Sequence, residues 1–166
     1  MSEARQFPMT VCNAGPLIAL AKINHLHLLD SLFSRVLVPE AVVGELSQAG
    51  RLPEASQILV TRAIERVALT RPPDPMLVAE LGHGEAQVIA LALEKSCDNV
   101  LIDERKARRV ASMVYQLKVM GTGGLLLRCK RQGLIRTIRP LMQQMKSNGY
   151  FLADRLIEGV CHEAGE

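Results

Sequence analysis

Aromatic side chains are scarce in this chain, with only 3% of its 166 residues being Phe, Trp or Tyr. That scarcity disfavours nucleic-acid binding through a row of bases stacked on rings, and leaves phosphate contacts as the main route to any nucleic-acid partner. No apolar run reaches the ~20 residues needed to span a bilayer. The N-terminus, Met1-Ser2-Glu3-Ala4-Arg5-Gln6-Phe7-Pro8, carries an acid and has no long apolar segment, so a secretory signal is not expected. Cysteines are few and widely spread: Cys12, Cys97, Cys129 and Cys161 form no C-x-x-C pair. A disulfide framework is unusual for such a chain. Apart from His25 and His27, no two Cys or His stand at zinc-finger spacing,. Buried structural cysteines and a cytoplasmic location are therefore expected. Internal repeats, low-complexity tracts and Gly/Ser linkers are also lacking.

What is present is the composition of a globular protein, 48% hydrophobic and 22% charged,. The length suits one domain over residues 1–166, with helices from about 134 to 166 packing on the same core. A net charge of +3 permits a nucleic-acid partner without demanding one,.

Short apolar runs alternate with helical patterns. Strands are expected at Met9-Thr10-Val11-Cys12, Arg35-Val36-Leu37-Val38, Val67 to Leu69, Asn99 to Ile102 and Lys118 to Met120. Between and after them the pattern predicts helices over 16–23, 26–33, 39–46, 53–65, 85–95, 104–115, 124–131, 137–147 and 151–162. Gly15 before Pro16 suits a helix N-cap. Arg71-Pro72-Pro73-Asp74-Pro75 has the composition of a loop. Gly133 and Asn148-Gly149 mark helix ends. Strands alternating with helices predict βαβ units, hence an α/β fold with a mainly parallel sheet covered on both faces. Ligands of such sheets sit beyond the carboxyl ends of the strands.

Asn13 and Asp103 each follow a predicted strand and face that crevice. Two glutamates complete apolar helical stripes. Glu45 joins Ala41, Val42 and Leu46, while Glu85 extends Val88, Ile89, Ala92 and Leu93 by one turn,. Inward-facing acids are costly unless paired or bound to a cation. Carboxylates that converge on one crevice repel one another, and a divalent cation relieves that repulsion. A hard oxygen set without His or Cys favours Mg²⁺ or Mn²⁺, and such an ion supports phosphodiester hydrolysis. Each residue also has a plainer reading. Asp103 suits the cap of the following helix; Glu85 suits a first-turn acid; Glu45 suits a solvated stripe edge; Asn13 suits a turn.

In order along the chain, Val11-Cys12-Asn13-Ala14-Gly15-Pro16-Leu17, then Val38-Pro39-Glu40-Ala41-Val42-Val43-Gly44-Glu45-Leu46, then Gly84-Glu85-Ala86-Gln87-Val88-Ile89, then Leu101-Ile102-Asp103-Glu104-Arg105 resemble a PIN domain. More narrowly they resemble a prokaryotic PIN-like subfamily related to the toxin ribonucleases of toxin–antitoxin pairs. The likeness runs from about residue 9 to Glu166. It implies a three-layer α/β/α sandwich with a central mainly parallel sheet. It also implies Mg²⁺- or Mn²⁺-dependent endoribonuclease chemistry on RNA. Asn13, Glu45, Glu85 and Asp103 match the metal-pocket positions, and Thr122 in Gly121-Thr122-Gly123-Gly124 matches a hydroxyl bordering the pocket. Without the resemblance, that stretch is a Gly-rich turn and helix cap lacking the Lys-Ser/Thr of a P-loop.

One departure stands out. Active members begin with Asp where this chain has Asn13. Loss of one negative charge predicts weaker cation binding and slower catalysis. The alternative is a degenerate, non-cleaving PIN module that binds RNA or a protein. A phosphotransfer receiver is a weaker third reading, since neither its acidic pair near the first strand nor its Lys after the last is clear.

Arg105 and Arg109 stand at i and i+4 after Asp103, on a face that begins at the crevice, and suit the RNA phosphate backbone. A solvated face is the plainer alternative. Arg128, Lys130, Arg131, Arg136 and Arg139 are more diffuse and read as surface. His83 is close enough to Glu85 to reach the pocket mouth, or else is a loop histidine. Leu141, Met142, Met145, Phe151, Leu152 and Leu156 finish the core, or serve a homodimer face or an antitoxin groove. A membrane partner is not expected.

Overall fold

A computed structural model of the protein describes residues 8–48 and 55–166. Five strands form one sheet: β1 (Met9–Cys12), β2 (Arg35–Pro39), β3 (Ile64–Val67), β4 (Asn99–Leu101) and β5 (Lys118–Met120). Their order is β3-β2-β1-β4-β5 and every pairing is parallel. The chain builds outward from β1 to β2 and β3, then returns to lay β4 on the other side of β1. The switch point therefore lies between β1 and β4, where the connections leave in opposite directions and a crevice opens beyond the strand ends.

The central strands are short and almost wholly apolar, as strands buried on both faces must be. Val11, Val36, Leu37 and Val100 are all fully buried. Helices α1 (Ala14–Ala21), α2 (His27–Leu32), α3 (Glu40–Gln48), α4 (Ala55–Val60), α5 (Pro75–Leu81), α6 (His83–Glu94), α7 (Arg105–Met113), α8 (Thr122–Arg131), α9 (Arg139–Ser147) and α10 (Asp154–Glu163) flank the sheet. Helix α6 packs across β1, β2 and β4 and also against α3 and α5. Helix α10 packs on α8 and α9, and Met142, Met145, Leu152, Ile157 and Cys161 join the same buried cluster as the sheet.

Several boundaries differ from expectation. The helix expected over 53–65 is shorter; its first residues, 53 and 54, lie outside the described residues. It stops at Val60, and the chain turns through Thr61 before Val36 N donates to Ala63 O at 2.8 Å and starts the pairing of β3. The strand expected at 67–69 is thus shifted to Ile64–Val67. Polar Glu65 and Arg66 disguised it, because β3 is the edge of the sheet and needs no second apolar face. Glu65 pairs with Arg35 on β2 at 2.8 Å, and Arg66 with Glu40 at 2.9 Å.

The loop expected through Pro75 ends one residue earlier, because Asp74 caps α5. Its carboxylate accepts from Met76 N at 2.8 Å, and Pro75 occupies the first helical position,. Two expected caps also move. Asn13, not Gly15, is the N-cap of α1, and its side chain makes no capping bond. Glu104 caps α7, accepting from Lys106 N at 3.0 Å and Ala107 N at 2.7 Å. Asp103 is therefore released from that role. Among the described residues no helix is long and apolar enough to cross a membrane.

Candidate active site

Register places two of the expected site residues side by side at the switch point. Cys12 is opposite Leu101 in the β1–β4 ladder. Asn13 N continues it by donating to Leu101 O at 2.9 Å, while Ile102 N donates to Met120 O on β5. Asn13 and Asp103 thus leave adjacent strands within a residue of each other. Asn13 is only 5% exposed. Its Nδ2 donates to Glu85 Oε1 over a long 3.4 Å, and its Oδ1 is buried without a hydrogen-bond partner among the described residues. A buried carbonyl oxygen left unpaired is uncommon in a native fold and calls for a ligand or a function.

Glu85, the third residue of α6, meets Glu45 where α3 packs on α6. Gly84 lies directly beneath the Glu45 carboxylate. A Cβ there would stand 2.2 Å from Glu45 Oε1, so a larger residue would require this carboxylate to turn aside from its present place. Glu45 keeps much of its surface in solvent at the edge of the buried Val42, Val43 and Leu46 stripe. Even so, its pKa is raised above the usual glutamate value, first by partial burial and then by the charge of Glu85,.

Asp103 is held by three donors. Thr122 N reaches Oδ1 at 2.6 Å, Thr122 Oγ1 reaches Oδ2 at 2.6 Å, and the Tyr150 hydroxyl also donates to Oδ2. Thr122, the first residue of α8, is 2% exposed. Burial, then the charge of Asp103, pushes the Tyr150 phenol well above its ordinary pKa, so it remains a donor at any physiological pH. Arg108 Nη1 donates to Ile102 O at 3.0 Å and tethers α7 to the end of β4.

The expected residues therefore flank one crevice as two groups: Asn13 with Glu85 and Glu45, and Asp103 with Thr122 and Tyr150. A Cβ on Gly15 would sit 3.1 Å from the Tyr150 hydroxyl and 3.4 Å from Asp103 Oδ2, which measures how closely the start of α1 approaches the second group. Among the described residues, no three His, Cys, Asp or Glu side chains stand close enough together to form a ready metal centre. The donor set nevertheless suits a hard cation: three carboxylates and one orphaned carbonyl oxygen, with no sulfur or imidazole among them.

Arg105 and Arg109 are exposed on α7 and have no ion-pair partner among the described residues, in contrast to Lys106, which pairs with Glu80. The second basic set is largely engaged. Lys130 pairs with Glu166, Arg131 with Glu163 and Arg139 with Glu158, while Arg128 lies 5.4 Å above the Phe33 ring. His83 is the first residue of α6 and is exposed. With Gln87, one turn on, it lines a separate open cleft of about 690 Å³ formed with Glu40 and the Ala68–Pro73 loop. All four cysteines are free and buried. Cys12 is raised by burial and then by Asp103, so it stays a thiol.

Sequence reasoning missed Tyr150, Arg108 as a tether, and the purpose of Gly84. Arg108 was visible only as part of a basic run. No local pattern links Tyr150 to an aspartate 47 positions away.

The model of a family described as a PIN domain (DUF3368) matches residues 9–166. The chain belongs to the PIN-domain family. PIN domains are nuclease-type domains that generally work with divalent metals. No curated protein and no solved structure matches the chain. The five-stranded parallel sheet with flanking helices is the PIN-like α/β/α architecture.

Proposed function

We propose that this PIN domain is a Mg²⁺- or Mn²⁺-dependent endoribonuclease acting at the crevice between β1 and β4. The observation that carries the reading is the buried, unpaired Oδ1 of Asn13 beside Glu85 and within reach of the strand that delivers Asp103. Asn13, Glu45, Glu85 and Asp103 would hold the cation. A bound divalent ion supplies an activated water and neutralises charge on the scissile phosphate. Thr122 and Tyr150 fix the Asp103 carboxylate, while Asn13 orients Glu85 through its amide. Arg105 and Arg109 would grip the RNA backbone as the entering strand passes α7.

Cleavage of a mixed RNA pool in Mn²⁺ tests the reading. Asp103→Asn is expected to reduce it by about 100-fold or more, the order of magnitude seen when a charge-stabilising group is removed. Equal cleavage by wild type and variant would assign the activity to a contaminant.

The second reading is a non-cleaving module that binds RNA or protein, favoured by the neutral Asn13. Asn13→Asp separates the two, since it supplies the missing charge beside Glu85. A rise in cleavage of about tenfold or more marks a native pocket weakened by the amide; equal, measurable cleavage marks a pocket that already works as built, and no cleavage by either protein marks the non-cleaving module. A role as the toxin of a toxin–antitoxin pair, a cytoplasmic location and a homodimer belong to the same proposal. Co-expression with the product of a neighbouring gene, reading growth and RNA integrity, tests the toxin role.

A further inference from the structure

Helices α3 and α6, which carry Glu45 and Glu85, pack against each other. Apolar packing is non-directional and by itself lets one helix slide or roll on another. Two contacts between α3 and α6 are specific. The Glu45 carboxylate stands over Gly84, where a Cβ would be 2.2 Å from Oε1. One turn away on each helix, Gln87 Oε1 accepts from Ala41 N at 2.9 Å. Ala41 and Glu45 are i and i+4 on α3, and Gly84 and Gln87 are i and i+3 on α6, so each pair shares a helix face. Ala41 N belongs to the first turn of α3 and has no partner within its own helix. Among the described residues, the bond from Gln87 is the one hydrogen bond that joins α3 to α6. Its directionality supplies what the apolar contacts lack.

We propose that Gln87 is a positioning residue, which holds α3 against α6 through Ala41 N so that Glu45 and Glu85 can share one divalent cation. The proposal rests on the metal-dependent reading and adds the device that keeps two of its carboxylates together. Like charges drive the two glutamates apart, and Glu45 is exposed enough to turn outward. A cross-helix bond one turn behind Glu45 opposes that movement. Gln87 acts through α3 and not on any reacting group.

Calorimetric titration with Mn²⁺ tests the proposal. Gln87→Met keeps the side-chain length and removes the acceptor. It is expected to weaken Mn²⁺ binding by about 10-fold, the scale on which loss of a group that orients metal ligands acts. Gln87 also lines the open cleft, so water can take up Ala41 N and the variant is expected to fold, as far-UV circular dichroism checks. Gln87→Glu returns an acceptor of the same reach and is expected to bind Mn²⁺ at least as tightly as wild type. Asp30→Ala controls for a purely structural bond. Asp30 Oδ1 accepts from Ala63 N at 2.7 Å beside the amino end of β3, at the other end of the sheet from the crevice. Its loss is expected to lower the melting temperature and leave Mn²⁺ affinity unchanged. Gln87→Met binding Mn²⁺ as tightly as wild type overturns the positioning role and leaves the cation site standing. A loss of affinity in Asp30→Ala or Gln87→Glu as large as that in Gln87→Met also overturns it. A wild type that binds no Mn²⁺ removes the cation from the site, and the role of Gln87 falls with it.

Discussion

At the scale of single residues, the site is a set of carboxylates whose freedom is taken away by neighbours. Asp103 has lost the helix cap to Glu104 and is pinned by Thr122 and Tyr150 instead. Tyr150→Phe removes one donor to that carboxylate and leaves the ring packing in place. It is expected to cost about 1.5–3 kcal/mol, the range for a hydrogen bond to a charged group, seen as a lower midpoint in chemical denaturation. It should also weaken Mn²⁺ binding by calorimetry, because Asp103 is then held by Thr122 alone.

Glu45 presents the opposite case. Its raised pKa means that the folded chain resists ionising it, so as pH rises the unfolded chain gives up this proton first,. Below the ordinary glutamate pKa of ~4.3 both states hold the proton and there is no penalty. Above it the ionised group costs stability. Glu45→Gln is therefore expected to raise the metal-free melting temperature at pH 7. The gain is roughly a few tenths of a kcal/mol, since solvent screens so exposed a group. That advantage closes as pH falls below ~4. The same substitution should blunt any rise in melting temperature produced by Mn²⁺, which separates metal binding from simple relief of repulsion.

Asn13 and Asp103 were legible because each directly follows an apolar strand, and strand ends in a parallel sheet mark the crevice. Glu45 and Glu85 were legible as acids placed in apolar stripes. Which reading of Glu45 holds, inward acid or solvated stripe edge, was left open, because periodicity gives an angle around a helix and not the depth at which its edge meets solvent. Tyr150 was beyond reach: only the packing of the last two helices brings its hydroxyl to Asp103.

At the scale of elements, α7 begins two residues after Asp103 and presents an exposed basic face. Its Arg105 and Arg109 are unpaired among the described residues, while the arginines of α8 and α9 are tied up by α10 or by Phe33. Changing both to Ala is expected to reduce the slope of log affinity against log salt by about 1.4, or ~0.7 for each phosphate of a single strand that is no longer neutralised. Filter binding across a salt series measures it, and an unchanged slope would return both residues to the solvated surface. Elements with strong periodicity, such as α7 and α9, were found within about a turn of their true bounds. Strand β3 was displaced because an edge strand tolerates Glu65 and Arg66, and polar residues erase the apolar signal by which short strands are found. Helix α5 was overlooked although Asp74-Pro75 is a proper start signal, since the prolines before it gave the stretch a loop's composition.

At the scale of the whole molecule, alternation of strands and helices was enough to predict a parallel α/β sheet, and the order β3-β2-β1-β4-β5 adds the location of the switch point. Composition could not supply that order, because which strand returns beside β1 depends on pairing between Val11 and Val100, far apart along the chain. Such long-range pairing is slow to form, and every group in the crevice depends on it.

The distribution of the site along the chain has a consequence for synthesis. Asn13 leaves the ribosome early, Asp103 much later, and Tyr150 later still, so a growing polypeptide holds only part of the crevice until Tyr150 has emerged. The crevice of this PIN domain is therefore completed only when residues of the last helices can pack back onto strands made long before them.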